Sequence, residues 1–180
     1  MVIEILRPTG DGDCTELIRY PFSENCYDKV NEETHDGNTT YLCTNSPTYK
    51  RCNFVLSGGT GEGRINSVTV KAYCRSTSLS FPGYVHLSIE THSTVYESAA
   101  KSVGMTYELL SESWVTNPYT ESPWTWDEID DLLAEISMSI APKVGYYSIV
   151  TQLWVEVDRA SASGASISRG IFRGTFNKMR

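Results

Sequence analysis

The 180-residue sequence has no apolar run near the ~18 residues that a membrane-spanning helix needs, so no transmembrane helix is expected. It contains no GxSxG, no HExxH and no CxxC, which removes the local signatures of a nucleophile elbow, a zincin and a paired-cysteine zinc knuckle. Its three histidines, His35, His86 and His92, are scattered and form no metal or triad spacing, so no enzyme is expected. Residues Met1–Arg7 lack the layout of a signal peptide, and free thiols in a reducing cytoplasm are the resulting expectation for the cysteines. Acidic residues are missing from one place: 159–180 holds Arg159, Arg169, Arg173, Lys178 and Arg180 and no Asp or Glu. With five of the 15 basic residues there, 1–158 keeps ten against all 22 acids, a body of −12 joined to a tail of +5. Such asymmetry points to an intermolecular contact, and an acidic body disfavours nucleic acid as the partner.

What is present is enough for one domain with a core: 40% hydrophobic residues, including 11 Tyr, five Phe and four Trp. Period-2 alternation predicts strands at Val2–Leu6, Ile65–Cys74, Tyr84–Glu90, Met105–Leu109, Ile136–Ile140 and Tyr147–Val157. The last would put Ile149, Thr151, Leu153, Val155 and Val157 on one face. Turn clusters at 8–13, 45–47, 57–63, 81–83 and 117–123 separate these runs. The pattern predicts an all-β fold, an antiparallel β-sandwich of jelly-roll type. One short helix is expected where Thr125 and Glu128 form a capping box ahead of Ile129, Leu132 and Leu133. It would plug one end of the sandwich, with Trp124 or Trp126 beneath. After the Ser/Ala/Gly segment 160–166, the remainder mixes Ile171, Phe172 and Phe176 with Arg169, Arg173, Lys178 and Arg180. The chain therefore divides into a sandwich domain, 1–158, and a basic arm, 159–180, suited to gripping a neighbouring subunit.

Other candidate sites are local. The glycine-rich segment 57–63 resembles a phosphate loop but lacks its lysine and is followed by a strand, so a mobile hairpin turn is expected. Asp11, Asp13 and Glu16 gather hard oxygen ligands of the kind calcium takes, without the rest of an EF-hand loop; an Asx-type turn is the alternative. No other cofactor is expected. Trp114, Tyr119, Trp124 and Trp126 surround the segment 117–123 and could form a platform for a glycan, or close the end of the sandwich. Of five cysteines, Cys74 falls in phase with a buried strand face, and Cys43 and Cys52 flank a loop across which they could pair under oxidising conditions.

Three stretches, Thr9–Gly12 with Thr15–Leu17, Trp124–Asp130 and Thr151–Val157, together resemble a largely uncharacterised group of small proteins of tailed bacterial and archaeal viruses. The resemblance covers 1–158. It implies a virion component with a jelly-roll-like or lectin-like β-sandwich and brings no catalytic residues. The leading expectation is a capsid-decorating or tail-associated subunit that assembles with copies of itself and other virion proteins through its arm. Two alternatives stand beside it: a module attaching to host surface glycans, and an extracellular filament subunit joined by strand donation.

Overall fold

The computed structural model describes residues 1–141 and 145–161. Among these residues, twelve strands form two antiparallel six-stranded sheets packed face to face, a β-sandwich. In chain order they are β1 (Val2–Leu6), β2 (Pro8–Asp11), β3 (Ile18–Tyr20), β4 (Tyr41–Thr44), β5 (Lys50–Leu56), β6 (Ile65–Ser76) and β7 (Gly83–Thr91). The others are β8 (Thr94–Glu97), β9 (Lys101–Val103), β10 (Glu108–Trp114), β11 (Leu133–Ile140) and β12 (Ser148–Arg159), with one helix, α1 (Trp126–Asp130), before β11. The first sheet runs β10-β6-β12-β4-β3, with β1 also on β12; the second runs β2-β5-β11-β7-β8, with β9 also on β7. No helix among the described residues is long and apolar enough to cross a membrane.

The core follows from alternation. Val68, Val70, Ala72 and Cys74 of β6 face Phe54, Leu87, Ile89, Ile136 and Met138 of the second sheet, all fully buried in one cluster. Because successive side chains of a strand point to opposite faces, each inward residue fixes an outward one. In β12 that rule is interrupted. A bulge between Val150 and Gln152 shifts the register, so Val150, Leu153, Val155 and Val157 face the core and Thr151 does not join them. Thr151 instead donates to Asp36 Oδ1 and the Thr40 carbonyl, each at 3.0 Å. β12 also continues through Arg159, which pairs with Val2 and donates from Nε to Glu4 at 3.0 Å, so this arginine belongs to the sandwich. The expected strand at Met105–Leu109 begins later, at Glu108.

The helix forms where its capping box is. Thr125 Oγ1 accepts from the Glu128 amide at 3.3 Å, and Glu128 accepts from the Thr125 amide at 2.8 Å. Two of the helix's four orphan donors are thereby satisfied. Trp124 lies buried, its Nε1 donating to the Trp114 carbonyl at 3.1 Å. Trp126 reaches the other way, donating to the Gly63 carbonyl at 2.8 Å. A Cβ on Gly59 would lie 2.7 Å from the Trp126 ring, so the glycine is what lets this loop approach. The segment 57–63 is tied to its surroundings by further hydrogen bonds, the Gly59 amide to Asp130 at 3.1 Å and the Thr60 hydroxyl to Glu4 at 2.8 Å.

Cys14 and Cys52 form a disulfide, while Cys26, Cys43 and Cys74 are free and buried. This corrects both the expectation of free thiols throughout and the pairing of Cys43 with Cys52. Cys43 sits on β4 in the first sheet and Cys52 points into the core from β5 in the second.

Two substitutions check this account by urea unfolding. Thr125→Ala removes a cap and should cost about 1 kcal/mol. Phe54→Ala empties a fully buried site and should cost about 3–5 kcal/mol with an unchanged m-value.

Candidate functional site

The second sheet carries an unusual outer face. Its central strand, β11, alternates inward Ala134, Ile136 and Met138 with outward Glu135, Ser137 and Ser139. Pairing continues each outward position across the sheet. Glu135 stands between Asn53 and Ser88, and Ser88 next to Glu97. Ser137 stands between Arg51 and His86, and Ser139 opposite Tyr84. The floor is small and polar; the surroundings are long, charged or aromatic.

Two of these groups are buried without being satisfied. Glu135 is 4% exposed and Ser88 0%, yet Glu135 Oε1 and Ser88 Oγ accept or donate no hydrogen bond. The nearest cation to Glu135 is Arg51, whose Nη1 lies 3.8 Å from Oε1, beyond hydrogen-bond length. Burial holds the Glu135 carboxyl above its ordinary pKa, with Arg51 opposing and Glu97 and Glu90 reinforcing the shift. Arg51 also approaches Glu97 at 3.8 Å, and His86 Nδ1 lies 3.4 Å from Glu97 and 2.7 Å from the Ser98 carbonyl. Two tyrosines border this floor. Tyr49 packs edge-on against His86 with centroids 4.5 Å apart, and Tyr49 and Tyr84 are 39% and 40% exposed.

Two depressions border the face near Leu133 and Glu135. One, of about 200 Å³, is lined by Asp13, Glu16, Arg51, Asn53 and Glu135. The other, of about 460 Å³, is lined by Glu90, His92, Asp127, Glu128 and Asp131 among others. Asn53 links them, donating from Nδ2 to Glu90 at 3.1 Å while its Oδ1 accepts from the Asp13 amide. A third cavity, about 290 Å³, opens on the first sheet beside His35, Tyr73 and Trp154. There the rings pack on one another and Trp154 is 9% exposed, so they offer little stacking surface.

The residues singled out from sequence are placed differently. Trp114, Tyr119, Trp124 and Trp126 do not form one surface: Trp124 is buried, Trp114 and Trp126 pack against the core, and only Tyr119 is largely exposed. Tyr119 stacks on His92 with centroids 4.4 Å apart. Asp11, Asp13 and Glu16 serve separate partners rather than converging. Asp11 accepts from the amides of Cys26 and Tyr27, at 2.8 and 2.7 Å, and Glu16 holds Lys50 Nζ and the Arg51 amide, at 3.2 and 3.0 Å. Among the described residues, the His, Cys, Asp and Glu atoms that converge as a metal site would are those of Cys14, Cys26 and Cys52. Arg169, Ile171, Phe172, Arg173, Phe176, Lys178 and Arg180 lie outside the described residues.

No family model and no curated protein matches the sequence. Solved structures with a similar arrangement include the CBM22-1 xylan-binding domain of Paenibacillus barcinonensis Xyn10C, at 10% identity and a TM-score of 0.43, covering 88% of this chain and 97% of that one. The tandem CBM22-1–CBM22-2 domain of the same protein gives 10% identity and a TM-score of 0.44, covering 93% and 48%. The CBM22-1–GH10 modules of Clostridium thermocellum xylanase 10B, complexed with xylohexaose, give 10% and 0.42, covering 76% and 25%. Likeness at this level identifies neither a family nor a ligand for this chain.

Proposed function

We propose that the chain is a glycan-binding module that takes a neutral polysaccharide segment across the outer face of its second sheet. The observation that carries this reading is the pairing of buried, unsatisfied polar atoms on Glu135 and Ser88 with two half-exposed tyrosines at the border of the same floor. Sugars present both hydroxyls and apolar C–H faces. A binding surface for them combines hydrogen-bonding groups with flat rings whose conformational entropy cost is low. A buried acceptor without a partner costs roughly 1–3 kcal/mol, which a ligand hydroxyl arriving at that atom would return.

Charge sets the class of sugar. Glu90, Glu97, Glu135, Asp13 and Glu16 surround the face, against Arg51 and Lys50. An anionic chain such as a polyuronate would meet net repulsion there, whereas a neutral one would not. The setting proposed for such a module is a virus particle, on the three-motif resemblance alone.

Affinity electrophoresis against a panel of soluble neutral and acidic polysaccharides, xylan among the former, tests the reading. Retardation is expected in a neutral gel. Tyr49→Ala and Tyr84→Ala should each weaken it about tenfold, near 1.4 kcal/mol, with unfolding midpoints little changed. Retardation unaltered in both variants would overturn the assignment of the face.

Glu135→Gln separates stability from binding. Folding raises the pKa of Glu135, so the native state holds its proton more tightly than the unfolded chain. Stability from this group is therefore lost as pH rises above the ordinary value of 4.5 through the raised native one. The neutral amide should flatten that loss and raise stability at pH 7 while weakening retardation, which paired urea titrations at pH 4 and pH 7 would show.

A further inference from the structure

The three sulfurs of Cys14, Cys26 and Cys52 lie within 4.8 Å of one another, and all three residues are buried. They come from separate parts of the chain: Cys14 follows β2, Cys26 precedes a 3-10 turn at Tyr27–Lys29, and Cys52 is the inward residue of β5 between Arg51 and Asn53. Asp11 brings the second of these in. Its carboxylate accepts from the amides of both Cys26 and Tyr27 and so pins the turn to the end of β2. The disulfide uses two sulfurs and leaves the third as a thiol whose Sγ donates to the Cys14 carbonyl at 3.3 Å. Cys43 and Cys74, the remaining free thiols, are not in this group.

The geometry points to a redox-gated zinc site: a disulfide with a spare thiol when oxidised, and a three-thiolate zinc centre when reduced. Zinc–sulfur bonds of about 2.3 Å at tetrahedral angles place sulfurs about 3.8 Å apart. Cys26 Sγ already lies within 4.8 Å of the other two sulfurs; the bonded pair, Cys14 and Cys52, must move apart from bonding distance to about 3.8 Å once the bridge opens. Thiolates select soft or borderline cations rather than calcium or magnesium. Charge distinguishes zinc from copper(I). Three thiolates leave −1 around Zn²⁺ but −2 around Cu⁺, and the nearest cation is a single guanidinium, Arg19 Nη1 at 3.9 Å from Cys26 Sγ. Asp11, the closest carboxylate, is already held by two amides. The steps balance. A thiol or phosphine reductant supplies two electrons, and with two protons the Cys14–Cys52 bond becomes two thiols. Zinc then displaces the three thiol protons to solvent. The fourth coordination position falls to water or a small anion.

The test uses the full chain reduced with a phosphine, desalted without oxygen, and titrated first with Co²⁺ alone and then with Zn²⁺ against a chromophoric chelator. One equivalent of Co²⁺ is expected, with the intense near-ultraviolet sulfur-to-cobalt band, displaced by Zn²⁺. Cys26→Ser should weaken zinc roughly a hundredfold or more, whereas Cys43→Ser and Cys74→Ser should leave it unchanged. A second measurement on the unaltered protein avoids any folding defect. Zinc should slow iodoacetamide labelling of Cys14, Cys26 and Cys52, read by peptide mass spectrometry, and leave Cys43 and Cys74 at their original rates. No cobalt band in the reduced chain, full affinity in Cys26→Ser, or equal protection of all five cysteines would each overturn the site.

Discussion

Everything proposed for the second sheet depends on the register of β11. Its pairing with β5 and β7 sets Ala134, Ile136 and Met138 into the core and leaves Glu135, Ser137 and Ser139 on the opposite face. A slip of one residue would exchange the two sets, burying a carboxylate in the hydrophobic layer and exposing the aliphatic side chains. The core therefore enforces the polar face: no residue on the outside needs to hold its own position, because the inward neighbours do so. A polar face built this way is as rigid as the packing behind it.

Rigidity also explains why polar groups can remain there without partners. On a loop, an unsatisfied carboxylate would rotate into water. On β11, flanked by β5 and β7, Glu135 has only its side-chain torsions to work with, and Arg51 stays at ion-pair rather than hydrogen-bond distance. The neighbouring acids make its ionisation harder still. The result is a position whose local chemistry runs against stability.

The sandwich itself was legible, because alternation in segments such as Ile65–Cys74 and Ile136–Ile140 has one strong physical cause. Short edge strands were not: β3 and β9 have three residues each, too few for a period to show. The bulge at Thr151 was hidden for a different reason. An extra residue changes the phase of a strand without changing its composition, and only the partner strand reveals it. The site was the least legible part. Serines in β7 and β11 look like solvent-facing filler until pairing places them on one face with Glu135. The tryptophans, by contrast, drew attention to themselves: indoles near a Pro-rich turn suggest a platform, whereas Trp124 and Trp126 each spend their N–H on a backbone carbonyl and their rings on packing.

The same alternation connects the two sites. Along β5, Arg51 and Asn53 face the polar floor, and Cys52 between them faces the sulfur cluster. Cys14 has the corresponding neighbour in Asp13, whose amide bonds Asn53 on the floor side. Strand β5 is thus a shared wall, with a bridged cysteine on its inner side and charged and amide groups on its outer side. Consecutive residues of a strand cannot move independently, so the Cys14–Cys52 bridge constrains Arg51 and Asn53 along with Cys52. The bridge fixes β5 covalently at that point, and the hydrogen bonds of Asn53 with Asp13 and Glu90 extend the hold to both depressions.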